Sequence, residues 1–328
     1  MSETTSIEWC RSTFNTHIGC TRISPGCDNC YAAVSTPARV MGIKWGPGEP
    51  RRRTSASNWN QVRRWNKQAA ASGEFWPVFT ASLADVFDNE MPAAWRADFW
   101  ALVRECPALT FLVLTKRIGN VRSMLPADWG CGYHNVRLGI SVVNQVEADR
   151  DIPKLMAVPA RVRWLSMEPL LGAVDLHGHL WQDVSGRVVH QGSRSPRIDW
   201  VVTGGESGAG ARPMHPAWPR NLRDQCAAAG VAFLHKQNGE WHTAYQDSSG
   251  ASVFRQFTNF EQWVNKASSW VQGGICLDRH GRELKNGGDM ARARDGEDFP
   301  VTIMHRVGKK AAGRLLDGVQ HDGYPEAP

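Results

Sequence analysis

Seven short apolar runs recur along this chain, each separated from the next by enough residues for a helix, and each turning polar only at its C-terminal end. Successive βα units around a parallel sheet produce that pattern, because a crossover between parallel strands needs a dozen or more residues, usually folded as a helix. The runs predict strands at 13–18, 77–81, 110–114, 136–140, 163–165, 200–203 and 231–234. Helices are expected at 93–106, where Trp95, Phe99, Leu102 and Val103 share a face, and at 219–229, closed by Gly230. The residues just past each strand are chemically rich. Ser82, Asp85 and Asp88 come after the second, Thr115, Lys116 and Arg117 after the third, and Ser141 and Asn144 after the fourth. Ser166 and Glu168 come after the fifth, Glu206 and Ser207 after the sixth, and Lys236 and Gln237 after the seventh. A (β/α) barrel builds its sites on that rim. The fold class read from this pattern is α/β, a partial TIM-type (β/α) barrel of about six to seven parallel strands. Ser82, Ser141 and Asp88 would equally serve as helix caps.

The loop after the first run holds three of the eight cysteines within eleven residues, Cys20, Cys27 and Cys30 in CTRISPGCDNC. The C-x6-C-x2-C spacing suits a metal clip, since the short step converges two thiolates and the longer one swings in the third. Three ligands leave a choice. His17 would close a Cys3His zinc site, whereas a 4Fe-4S cluster on three thiolates keeps one iron open to a small molecule. Disulfides are not expected, because the segment MSETTSIEWC lacks the basic and apolar regions of a secretory signal. The expected setting is the reducing cytoplasm. Cys10, Cys106, Cys131, Cys226 and Cys276 are scattered and read as ordinary packing residues.

No apolar run is long enough to span a bilayer. The 328 residues are 42% hydrophobic and 21% charged, which suits a globular protein with a large core, and the net charge of +6 tilts the surface towards polyanions. Arg51, Arg52, Arg53, Arg63 and Arg64 alternate with Trp59 and Trp65, a composition suited to phosphate contact and base stacking, or to a basic helix with its tryptophans facing inwards. A barrel domain is expected over 1–241. The Gly- and Ser-rich remainder, 242–328, reads as an elaboration packed on it without a second core, with a helix at 259–270, a hairpin over 276–284 and a basic terminal helix at 307–318.

Ordered segments spread over nearly the whole chain carry a family resemblance. They are IEW at Ile7 to Trp9, F-N-x3-G-C-x6-C-x2-C-Y from Phe14 to Tyr31, LADVFD from Leu83, LTKR from Leu114, SMEPLLG from Ser166, TGGESGAGARPM from Thr203, KQNGEW from Lys236 and VGKKAAGRLLDG from Val307. In these the chain resembles the phage-associated three-cysteine-motif proteins, which in turn resemble radical S-adenosylmethionine enzymes. That resemblance implies a 4Fe-4S cluster on Cys20, Cys27 and Cys30, S-adenosylmethionine on its open iron, and an electron donor as partner. It also implies cofactor contacts from Gly204, Gly205, Glu206, Ser141 and Asn144. Lys116, Arg117, Glu168 and Lys236 would face the substrate or the cofactor carboxylate, with Asp85 and Asp88 as candidates for a general base or polar contact. A salt-bridged network of Glu168 with Lys116 or Lys236 is the purely structural alternative. The chain departs from the usual C-x3-C-x2-C spacing by three residues, and Asn29 stands where an aromatic is common. The expected substrate is polar and anionic, with a nucleic acid or nucleotide favoured. The rival expectation is a zinc-stabilised nucleic-acid-binding protein without catalysis.

Overall fold

Period-two alternation along each strand decides which side chains face outwards to helices and which face the inside of the curving sheet. In the computed structural model, which describes residues 4–5, 7–180, 197–246, 252–254, 256–266, 274–296 and 298–325, seven strands form one sheet in chain order. They are β1 (Ser12–Phe14), β2 (Pro77–Thr80), β3 (Thr110–Thr115), β4 (Val136–Ser141), β5 (Val162–Met167), β6 (Trp200–Gly204) and β7 (Ala232–Gln237). Every neighbouring pair is parallel. The sheet is a half-barrel, open between β1 and β7, and matches the expected partial (β/α) barrel.

Among the described residues, five longer helices cover its outer face. They are α1 (Ala56–Ser72), α2 (Ala93–Glu105), α3 (Ile118–Met124), α4 (Gln145–Met156) and α5 (Ala217–Ala229). Helix α1 buries Trp59, Val62, Trp65 and Ala69, one stripe at helical spacing, and ends where Gly73 takes the left-handed conformation. These stripes pack with the outward residues Val78, Phe111, Val113, Leu138, Ile140, Leu165 and Val201 in the main core.

The concave side is packed by aromatic rings. Trp9, Phe79, Trp164 and Trp200 cluster there with Leu112, Val202 and Leu234. Each fully buried large side chain contributes about 1.5–3 kcal/mol. Trp164 and Trp200 lie opposite one another in register, and their ring centroids are 5.3 Å apart. On the other side of β5, Gly139 is the register partner of Trp164, and a Cβ there would stand 2.2 Å from the indole. The glycine is the space that the tryptophan occupies.

The first strand is shorter than the apolar run. The Asn15 side chain accepts from the Leu83 amide at 2.7 Å and bonds Ser82, turning the chain out of the sheet, so that His17–Ile18 pairs antiparallel with Arg52–Arg53 instead. Beyond the half-barrel, β8 (Trp241–His242), β9 (Gln256–Phe257) and β10 (Ile275–Leu277) each pair antiparallel with β11 (Val301–Arg306). The hairpin turn at 279–281 is present, with Leu284 donating its amide to the Cys276 carbonyl at 2.8 Å. This unit has its own cluster of Phe257, Cys276, Met290, Val301 and Ile303, contrary to the expected coreless elaboration. The described part of the helix expected at 259–270 is Phe260–Lys266, and 267–270 lie outside the described residues. The terminal helix is only Lys309–Ala312, because Asn238 takes the Ala312 carbonyl at 2.8 Å and Gly313 follows at positive φ. The chain then returns to the barrel. There the His235 amide donates to the His321 carbonyl and the Gly323 amide to the Phe233 carbonyl, which covers the open edge of β7. Among the described residues no helix is long and apolar enough to cross a membrane.

Candidate cofactor site

The alternation that fills the concave side with rings also makes it polar at the C-terminal rim. Above Leu112 and Leu114 on β3 comes Lys116, above Gly139 comes Ser141, above Trp164 come Ser166 and Glu168, and above Leu234 comes Lys236. All five polar residues line one cavity of about 160 Å³, whose floor includes Trp9 and Phe79. The opposite wall is the loop after β1. Gly19, at φ 111°, turns the chain there, and Ser24 caps a short turn at Pro25–Cys27 by accepting from the Gly26 amide at 3.1 Å. Cys20, Cys27 and Cys30 all line the same cavity. Gly26 allows close packing, since a Cβ there would lie 2.7 Å from Val143.

Three arginines hold this loop. Arg117 donates through Nη2 to the Thr21 carbonyl at 2.6 Å and through Nη1 to Cys20 Sγ at 3.3 Å and Asp85 Oδ2 at 3.1 Å. Arg51, fully buried, donates to Asp88 at 2.7 Å and Thr21 Oγ1 at 2.6 Å and pairs with Glu90. Arg212 donates to the Pro25 carbonyl at 2.8 Å, pairs with Asp28 at 3.2 Å and grips Glu206 at 2.7 Å. Glu206 in turn accepts from Asn29 at 3.0 Å. Burial opposes ionisation of Glu206, but the hydrogen bonds from Arg212 outweigh it and hold the carboxyl below its ordinary range. Burial, with Asp85 adding to it, pushes the Cys20 thiol up to about 12, and Arg117 pulls the other way.

Asp85 is the hub of the Arg117 side. Its carboxylate accepts from Thr115 Oγ1 at 2.8 Å and from the amides of Phe87 and Lys116 at 2.9 and 3.2 Å, besides Arg117. Both oxygens are engaged, and the carboxylate fixes Thr115, Lys116 and Arg117 around it. On the far wall Lys236 and Glu168 form an ion pair at 3.2 Å. Lys116 differs from them: its Nζ meets Ser141 Oγ at 2.9 Å, and no described carboxylate lies within ion-pair distance of it.

Of the residues expected at the cofactor, Ser141 lines the cavity. Four others are used elsewhere. Asn144 caps α4 by accepting from the Glu147 amide at 2.9 Å, and Glu206 is spent on the loop clamp. Gly204 packs under Glu168, where a Cβ would come within 2.7 Å of Oε1, and Gly205 packs against the Asn238 carbonyl. His17 does not line the cavity. Its Nδ1 bonds Thr16 Oγ1 at 2.8 Å, and burial lowers its pKa to about 4. Among the described residues no three His, Cys, Asp or Glu side chains converge as one metal ion requires. The arginine and tryptophan segment divides: its tryptophans face the core, while Arg52, Arg53, Arg63 and Arg64 stay exposed. Trp59 and Trp65 are buried, Arg51 is buried, and Arg53 and Arg63 pair with Asp98 and Glu105 at 2.7 Å. This is the basic helix with inward-facing tryptophans, with exposed cations but with both rings buried.

Sequence reasoning missed Tyr31 and Trp45 as cavity residues and missed Arg212 and Asn29 as supports of the loop. Tyr31 had a signal, its place directly after Cys30. Arg212 had none, because its partners in the cysteine loop, Asp28 and Pro25, lie 184 and 187 residues away.

Fold and site together define a parallel (β/α) half-barrel protein with a cysteine-lined cavity at the C-terminal rim. The chain belongs to the family described as DUF5131, protein of unknown function, which matches residues 4–325. No curated protein matches it. Among solved structures it is similar to a variant of spore photoproduct lyase with bound AdoMet and dinucleoside spore photoproduct. The identity is 10% and the TM-score 0.37, covering 88% of this chain and 74% of that one.

Proposed function

We propose that this protein is a radical S-adenosylmethionine enzyme in which Cys20, Cys27 and Cys30 hold a 4Fe-4S cluster. The observation that carries the reading is that three cysteines of one loop line one cavity at the C-terminal rim of a parallel half-barrel. The donor set fits such a cluster. A cube bonds each thiolate to a different iron and so spreads them wider than a single zinc ion does, and His17 is not at hand to close a zinc shell. When bound, the cluster supplies an open iron for the amino and carboxylate groups of S-adenosylmethionine and the electron that cleaves its carbon-sulfur bond.

The chain's own residues bind, orient and shield. Lys116, paired with a hydroxyl and with no described carboxylate, is the cation left for an anionic group of cofactor or substrate. Half-buried on the cavity wall, it is placed to take a ligand carboxylate or phosphate as its counter-charge. The Glu168–Lys236 pair offers one acceptor and one donor side by side. Trp9 and Phe79 close the floor and exclude water from below. A polar, anionic substrate follows from the same wall, and a nucleotide or nucleic acid is the class we favour. Anaerobic reconstitution with iron and sulfide is expected to give a brown protein that, once reduced, releases 5'-deoxyadenosine from S-adenosylmethionine. Colourless protein carrying stoichiometric zinc would end the proposal.

A further inference from the structure

We propose that Arg117 is a positioning residue that hydrogen-bonds the cluster ligand Cys20 and thereby raises the cluster's reduction potential. This rests on the cofactor reading above and deepens it. Resemblance alone aims Arg117 at a substrate, but the guanidinium is engaged by the cysteine loop. Nη1 lies 3.3 Å from Cys20 Sγ, and Nη2 lies 2.6 Å from the carbonyl of the next residue, Thr21. One planar group thus spans a ligand atom and the backbone that carries it, a geometry that the single ammonium of a lysine does not reproduce.

The guanidinium is fixed from behind. Asp85 accepts from it at 3.1 Å and is itself locked by Thr115 and two backbone amides, and Asp88 stands 3.9 Å away, held by Arg51. The side chain is only 7% exposed, so the bond to sulfur is made out of water and is strong for its length. A donor to a cluster thiolate draws charge from the sulfur, and reduction adds an electron to the cluster, so the donor favours the reduced form. Outer-shell donors are one of the levers by which a protein sets such potentials.

The test uses the full chain reconstituted with iron and sulfide. Arg117→Gln and Arg117→Lys should retain the wild-type iron content and far-ultraviolet circular dichroism. In a redox titration followed by electron paramagnetic resonance, the reduced fraction at a fixed low potential should fall about tenfold in Arg117→Gln, a shift of about 59 mV for one electron. Arg117→Lys should recover only part of it. A midpoint equal to wild type in an iron-replete Arg117→Gln overturns the inference and leaves the cofactor reading intact. Should the variants lose the cluster, proton ENDOR of the reduced wild-type protein decides: an exchangeable proton coupled to the cluster supports the bond, and its absence overturns it. Wild-type protein that takes up no cluster removes both proposals together.

Discussion

At Gly139 one methyl group would collide with the buried ring of Trp164, with no soft side-chain end to give way. Overpacking of that kind costs about 1–3 kcal/mol. Gly139→Ala is therefore expected to lower the unfolding free energy by that much, read as a lower denaturant midpoint, and an unchanged midpoint would show that the rings repack freely. Cys27→Ala tests a different bond. It should abolish iron uptake on reconstitution, and elemental analysis reads the outcome. Lys116→Met should leave iron content intact and weaken S-adenosylmethionine binding, since a lost hydrogen bond to a charged group is worth about 1.5–3 kcal/mol, roughly tenfold or more in affinity. Equilibrium dialysis checks it. At this scale the sequence was informative where chemistry is local. Lys116, Ser141, Glu168 and Lys236 are recognisable because each follows an apolar strand. What the GGE segment does not announce is its contacts in space, Gly204 against Glu168 and Glu206 paired with Arg212.

The cysteine loop is held as an element by contacts that its own sequence does not announce. Glu206, Arg212 and Asn29 join the segment after β6 to the segment after β1, and the aligned strand ends are what bring them together. Because the folded carboxyl of Glu206 lies below its ordinary value of about 4.3, its contribution is present above that value and is lost as the pH falls through the lower, folded one. The loop should accordingly loosen in acid. Glu206→Gln removes the charge at neutral pH, and limited proteolysis is expected to cut residues 20–31 faster in that variant than in wild type; equal rates would contradict the clamp. The strands themselves were legible, since period and spacing are local properties. The break after Phe14 was not, because it is made by Asn15 reaching Leu83, 68 residues on.

At the scale of the whole molecule, His17, His215 and His235, three of the histidines buried among the described residues, make stability depend on pH. Burial lowers the pKa of His17, His215 and His235 to about 4. Between that value and the ordinary 6.5 or so, the unfolded chain binds more protons than the folded one, so stability rises with pH through this window and is fully present above it. The effect is at most about 3 kcal/mol per residue. Urea unfolding at pH 5 should show a lower midpoint than at pH 7, and a flat profile would mean that these rings are protonated in the folded protein. Global architecture was readable to the extent that seven βα units dictate a parallel sheet. The second cluster around Met290 and Ile303 was not, because that segment's apolar residues are sparse and meet only when β9, β10 and β11 pair.

The central claim is that three thiolates grip a cluster and leave one iron for a ligand. Electron paramagnetic resonance of the anaerobically reconstituted and reduced protein, with and without S-adenosylmethionine, tests it most directly. The expected result is about four iron and four sulfide per chain and a 4Fe-4S signal that changes shape when S-adenosylmethionine is added. A signal indifferent to S-adenosylmethionine, or one stoichiometric zinc in place of iron, would contradict it.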